Sequence, residues 1–246
     1  MAVHRISEQF YDDLNIDWPC PNCHQKTLQI KSFIKEKSAY TRKNEYEDSF
    51  EPEMKELVFT CIAKCTRQQC EEVVACSGIG SPDTFWNNEY GEHQKNCYRP
   101  MTFTPELHPF RIPEQCAKEI SEPLTASFSI YLRQPGSAAN LIRITVERML
   151  TAIGVPESDK KNKRISLHHR LESLAGQYEP YKHILMAIKF LGNAGSHTYD
   201  EVNIDDVEDA FEIMEYVVNG LFSCKKESID ILTDRIQEKF GKQKDV

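Results

Sequence analysis

Residues 57–78 read LVFTCIAKCTRQQCEEVVACSG, and this stretch decides the first half of the fold. LVFTCIAKC and EEVVACSG are rich in β-branched residues and read as two strands. TRQQ, residues 66–69, lies between them, so Cys65 and Cys70 flank the tip of a hairpin. Upstream, Leu28 and Ile30, then Phe33 and Ile34, alternate as a further strand. The intervening YTRKNEYEDSFEPEM, residues 40–54, is polar without a helical stripe and predicts an exposed loop. Further upstream stands Cys20-Pro21-Asn22-Cys23. Two thiolates at this spacing close on one ion, with backbone amides turned toward the sulfurs.

Structural zinc takes four ligands tetrahedrally, so a second pair must join Cys20 and Cys23. Cys65 and Cys70 are the pair of choice, because two loop tips facing each other across one ion make a zinc ribbon. Cys61 is the main competitor for a place in that set, with Cys76 and His24 behind it. Six of the nine cysteines lie between Cys20 and Cys76, while Cys97, Cys116 and Cys224 are scattered. An odd count leaves at least one thiol unpaired. A lone C-x-x-C is also a redox motif, but no βαβ pattern accompanies it here. A closed four-cysteine site leaves no open position for catalysis, so the zinc is expected to be structural.

Downstream, YRPMTFTPELHPFRIPEQC carries prolines at 100, 105, 109 and 113. Proline fixes φ and removes a backbone donor, which predicts an extended linker rather than a helix or central strand. From about Glu114 the pattern turns helical. In SAANLIRITVERMLTAIG, Ala138, Leu141, Ile142, Thr145, Val146, Met149, Leu150 and Ile153 follow one buried face. Ser137 is placed as N-cap, and Gly154 before Pro156 as the stop. A charged loop, PESDKKNKR, then precedes ISLHHRLESLAG, EPYKHILMAIKFLG, NIDDVEDAFEIMEYVVNGLF and KESIDILTDRIQEKFG, each amphipathic. The fold class is therefore α+β. A β-rich zinc-ribbon domain spans 1–99, a proline-rich linker 100–113 and an all-α bundle 114–246.

Thirty Lys and Arg against 38 Asp and Glu give a net charge of −8. That argues against a broad nucleic-acid-binding surface but leaves room for a small basic pocket holding one phosphate or one RNA segment. No apolar run reaches the roughly 18 residues of a membrane span, and the opening residues lack a signal-peptide core. The expected location is the cytoplasm, with no membrane partner.

In KFLGNAGSHTYD, Lys189, Asn193 and His197 are spaced by four. If the helix continues through Gly192 and Gly195, the three side chains form one stripe. Each glycine weakens a helix by about 1 kcal/mol, which predicts close approach of another helix or of a ligand. Arg143 and Glu147 form a second polar i, i+4 pair.

GNAGSH after an amphipathic helix, with LIRITVERML upstream and FTPELHPFRIP before the bundle, resembles the helical domain-of-unknown-function family numbered four-one-four-five. The resemblance covers about Phe103 to Phe222. That family is HEPN-like: helical bundles, often homodimeric, many of them RNases, and many of its members carry an N-terminal cysteine ribbon. Active HEPN RNases use an arginine, a polar neighbour and a histidine a few residues on. The polar residue matches Asn193 and the histidine matches His197, whereas the arginine slot falls on Gly192. Lys189 offers a cation one turn earlier, with Arg143 and Glu147 as supporting charges.

The resemblance implies first an accessory or effector module of a prokaryotic anti-phage or conflict system, binding RNA, a nucleotide or a defence-system protein. It implies second a metal-independent endoribonuclease with its site at a dimer interface. A third reading is a structural adaptor held together by zinc.

Overall fold

The computed structural model describes residues 3–87, 91–197, 202–223 and 225–240. Its N-terminal half is a five-stranded antiparallel sheet in the order β1-β5-β4-β3-β2. The strands are β1 (Phe10–Tyr11), β2 (Leu28–Lys37), β3 (Leu57–Cys65), β4 (Val73–Asn87) and β5 (Gly91–Thr104). β3 alternates strictly: Leu57, Phe59, Cys61, Ala63 and Cys65 are buried, while Val58, Thr60 and Ile62 are exposed. This is the period-2 pattern of a sheet with one face in the core. Phe59 packs edge-on to Phe10 and Tyr98 and stacked on Phe33, so strands distant in sequence share one aromatic cluster.

Two expectations change here. Residues 40–54 are not a plain loop: α1 (Ala39–Asn44) forms, and a single 3-10 turn follows at Pro52–Met54. Ser38 caps α1 by accepting from the Thr41 amide. Thr41 is itself buried, donating to the Glu56 carbonyl and accepting from the Glu56 amide. This knot gives order to a segment too polar to show a stripe. The stretch read as linker also begins inside a strand, since Pro100 pairs with Gly78 and Phe103 with Cys76. Proline is tolerated because β1 covers β5 only at Cys97 and Tyr98, so Pro100 has no second neighbour to bond. Leu107 and Phe110 then turn into the core rather than over the surface.

The second half is helical: α2 (Lys118–Ile130), α3 (Pro135–Ala152), α4 (Leu167–Glu172), α5 (Lys182–His197), α6 (Ile204–Phe222) and α7 (Lys225–Phe240). α3 is central, with Ala138, Ala139, Ile142, Val146, Met149 and Leu150 fully buried. It starts earlier than expected: Gln134, not Ser137, is the N-cap, and Pro135 occupies the first turn where its missing N–H costs nothing. Its end is as read. Gly154 at φ +86° lets the Gly154 and Val155 amides return to Thr151 and Leu150. Asn203 and Asp206 close a capping box on α6.

The two halves are stitched by the N-terminal strap, residues 3–11. The His4 amide donates to the Pro109 carbonyl, Ile6 is buried, Arg5 pairs with Asp209 of α6, and Phe10–Tyr11 joins the sheet. Under the strap lies Glu208, 1% exposed, accepting from the Ser7 amide, the Ser7 hydroxyl and the Tyr131 hydroxyl.

Candidate functional site: a four-sulfur centre and an arginine-lined cavity

The sulfurs of Cys20, Cys23, Cys65 and Cys70 all lie within 4.8 Å of one another. Cys20 and Cys70 are 3.5 Å apart, and Cys23 and Cys65 are 3.8 Å apart. Four sulfurs at about 2.3 Å from a tetrahedral zinc stand about 3.8 Å apart, so the donor set is close enough to hold a metal ion and is compatible with zinc. Both loops are built alike. The residue after each second cysteine, His24 at φ +55° and Glu71 at φ +50°, takes the left-handed conformation that turns the chain away. The Thr66 amide donates to the Thr27 carbonyl, tying the loops together. Thr27 also sets its hydroxyl 3.1 Å from the Cys65 sulfur and 3.6 Å from that of Cys23.

The two knuckle sulfurs differ in their electrostatics. Burial pushes the Cys20 thiol up to about 12, opposed by backbone N–H groups of Cys23 and Asn22. Burial also raises Cys23, but the Gln25 amide, the Thr27 hydroxyl and the Cys20 and Arg67 side chains bring it down to about 6. Cys61 stands apart from this set, paired instead with Cys76 across β3 and β4, and both are buried. Cys224 lies outside the described residues. Among the described residues, these four cysteines are the one group of three or more His, Cys, Asp or Glu drawn together closely enough for a metal.

In the helical half, α5 runs unbroken through Gly192 and Gly195. The glycines admit α3. A Cβ on Gly192 would stand 2.5 Å from the Cβ of Arg143 and 3.1 Å from the Ala139 carbonyl oxygen, and one on Gly195 would run into the Gly136 carbonyl. The close approach predicted from the two glycines is thus a helix crossing. Arg143 lies across Gly192. Its Nη1 donates to Glu147 at 2.6 Å, and its Nε and Nη2 donate to Asn140 at 3.2 Å. Ser196 reaches the same Asn140 oxygen from α5. Lys189 and Asn193 follow on the Ser196 side of α5 by helical spacing, and the Lys189 ammonium sits 4.2 Å above the Phe190 ring. His197 is the last residue of α5, and its side chain lies outside the described residues.

Beside this seam, α3, the 155–165 loop and α4 enclose a cavity of about 490 Å³. Arg143, Arg148, Arg164 and Arg170 line it with Glu147 and Glu157. Glu147 bonds Arg143 and, at 3.2 Å, Arg164. Arg170 is 5% exposed and donates only to neutral oxygens: the Glu147 and Val155 carbonyls and the Thr151 hydroxyl. Its Nε is buried without a hydrogen-bond partner among the described residues. The Glu157 carboxyl is held below its ordinary value first by the Thr151 hydroxyl and then by the charges of Arg170, Arg148 and Arg164.

Sequence reading named Arg143 and Glu147 but not Arg148, Arg164 or Arg170. The available signal was local charge. Residues 143–170 hold seven Lys and Arg against three Asp and Glu, in a chain whose total is −8.

Residues 125–239 match the family model described as a domain of unknown function, DUF4145. This begins and ends later than the stretch inferred from motifs. Residues 8–108, which carry all four clustered cysteines, match a second model, also described as a domain of unknown function, DUF8608. No curated protein and no solved structure matches the chain. The DUF4145 match covers the whole α3–α5 seam and the arginine cavity, whereas the sulfur cluster belongs to the DUF8608 match.

Proposed function

We propose that the chain is an RNA- or nucleotide-binding module, accessory or effector in a prokaryotic anti-phage or conflict system, with one structural zinc holding its β-rich half. The observation that carries the binding is the arginine-lined cavity. A concave site with four guanidiniums against two carboxylates, in an acidic chain, favours a phosphate-bearing ligand. The zinc reading rests on four sulfurs within 4.8 Å of one another, with backbone amides and Thr27 around them. All four positions are protein ligands, so the ion would brace the two loops and do no chemistry.

Binding is favoured over catalysis because the cation nearest the vacant arginine slot is engaged. Arg143 covers Gly192, but its three donating nitrogens are committed to Glu147 and Asn140. A guanidinium already neutralised by a carboxylate has little left for a developing charge on a scissile phosphate. The endoribonuclease reading keeps one favourable observation: α5 remains helical to His197, so Lys189, Asn193 and His197 share one stripe. In that reading His197 would move a proton of the 2′-hydroxyl or leaving oxygen, at an interface between two copies of the helical half.

The test is a panel of labelled single-stranded and structured RNAs without added metal, comparing the parent with His197→Ala. Expected is retention of RNA by both proteins, with no cleavage by either. Cleavage by the parent and not by the variant would establish the endoribonuclease instead. Failure of the parent to hold any RNA or nucleotide would sink the binding reading.

A further inference from the structure

We propose that the arginine cavity is a receptor for a phosphate dianion, the phosphomonoester that ends an RNA strand or a free nucleotide, rather than for an internal phosphodiester. The inference rests on the phosphate-binding reading above and names which phosphate the site takes.

Charge balance is the first argument. The lining holds four guanidiniums and two carboxylates, which leaves two positive charges for a ligand to neutralise. A phosphomonoester at neutral pH carries about −1.5 to −2, and a backbone diester carries one charge. A diester would leave part of this lining uncompensated in a half-enclosed site, where unpaired charge costs most.

The arrangement of the partners is the second. Glu147 already takes Arg143 and Arg164, so those two meet one carboxylate between them. Arg170 has no carboxylate within salt-bridge distance among the described residues, and every oxygen it bonds is neutral. A buried guanidinium held by neutral oxygens keeps its full charge and projects it into the space beside it. Burial depresses its proton affinity, while Glu157 and Glu147 oppose that from a distance. Arg148 is exposed at the rim, and among the described residues none of its nitrogens makes a hydrogen bond or ion pair. Two arginines, one fixed in the floor and one free at the rim, thus supply the charge that Glu147 does not quench. Planar guanidiniums bind phosphate through paired N–H donors, so such a set suits an end that presents three oxygens rather than two.

The third argument is the loop that roofs the cavity. Asp159 accepts from the amides of Lys161 and Lys163, Asn162 turns at φ +60°, and Ser158 bridges Arg164. These bonds fix the backbone while Lys160, Lys161, Lys163 and Arg164 stay exposed on the same loop, with Arg164 lining the cavity itself. Such a rim draws in an anionic strand, and a cavity closed behind it accepts the strand's end more readily than its middle.

The full-length chain is tested by fluorescence anisotropy with one short RNA in four forms: 5′-phosphate, 3′-phosphate, methyl-esterified 5′-phosphate and hydroxyl-ended. A nucleoside monophosphate serves as competitor. The expected result is that one phosphomonoester end binds about tenfold or more tighter than the hydroxyl and methyl-ester forms. Arg148→Ala with Arg164→Ala, both at exposed positions and with folding checked by an unchanged Tm, abolishes that preference. Equal binding of all four forms overturns the dianion inference and leaves the RNA reading standing. Binding of the monophosphate without any RNA overturns the RNA reading and keeps the dianion site. A preference that survives the double variant places the end elsewhere and overturns the inference.

Discussion

Cys20, Cys23, Cys65 and Cys70 have no substitute within the fold, since no other described sulfur joins their group. With zinc bound, elemental analysis should give one ion per chain. Cys65→Ser should lose it and unfold the β-rich half, whereas Cys61→Ser should keep it, because Cys61 faces Cys76 instead. Removal of the ion by a chelator should mimic Cys65→Ser. Glu208 is the other residue on which much depends. Its removal by Glu208→Ala would orphan Ser7 and Tyr131, together at about 2–6 kcal/mol, a fall in Tm of roughly 4–24 °C. Burial holds the Glu208 carboxyl above the ordinary value of 4.5, and the bonds from Ser7 and Tyr131 only partly offset it. A raised carboxyl pKa means that the folded state binds the proton more tightly than the unfolded one. The associated stability is full below about pH 4.5 and is lost as pH rises through the folded value. Thermal scans across that range should therefore show the parent losing stability relative to Glu208→Gln, and a flat difference would refute it.

α3 and α5 were legible as helices because their apolar stripes repeat at helical spacing, and their close approach was legible from two glycines inside one of them. What that approach implies for the arginine slot was not, because it depends on where Arg143 of another helix lies. Gly192→Arg, which would fill the arginine slot expected from the resemblance to HEPN RNases, places a Cβ 2.5 Å from the Arg143 Cβ. It should cost about 1–3 kcal/mol of stability, measurable by denaturant midpoint. The tightest contact is with the Arg143 Cβ and the next with its Cδ at 2.9 Å. Arg143→Gly should therefore relieve more of the collision than Arg143→Ala, which removes the Cδ contact alone. Other elements escaped the sequence for local reasons. α1 has no apolar stripe and is fixed by Ser38 and Thr41, while Gly78, Gly80 and Pro82 interrupt the alternation that would have marked β4. The cysteine set was legible because knuckle spacing is a local signal. The cavity was not, because Arg148, Arg164 and Arg170 come from α3, a loop and α4 and meet only in the folded chain.

At the scale of the molecule, seven basic residues between 143 and 170 sit in a chain that is otherwise strongly acidic. The acidic remainder should repel nucleic acid except at that patch, so binding should be local and steeply salt-dependent. About three phosphate contacts to single-stranded RNA would give a slope near −2 in log affinity against log salt. A slope near zero would remove the basic patch from the binding account. The N-terminal strap has a separate consequence. Residues 3–11 hydrogen-bond to the segment after β5, pair with α6, cap Glu208 and then add a strand to the sheet. A chain begun after Tyr11 would be left with a groove already cut to the shape of the missing peptide. The same peptide, supplied in trans, should seat in it and reconstitute the whole, as a split protein regains its partner fragment.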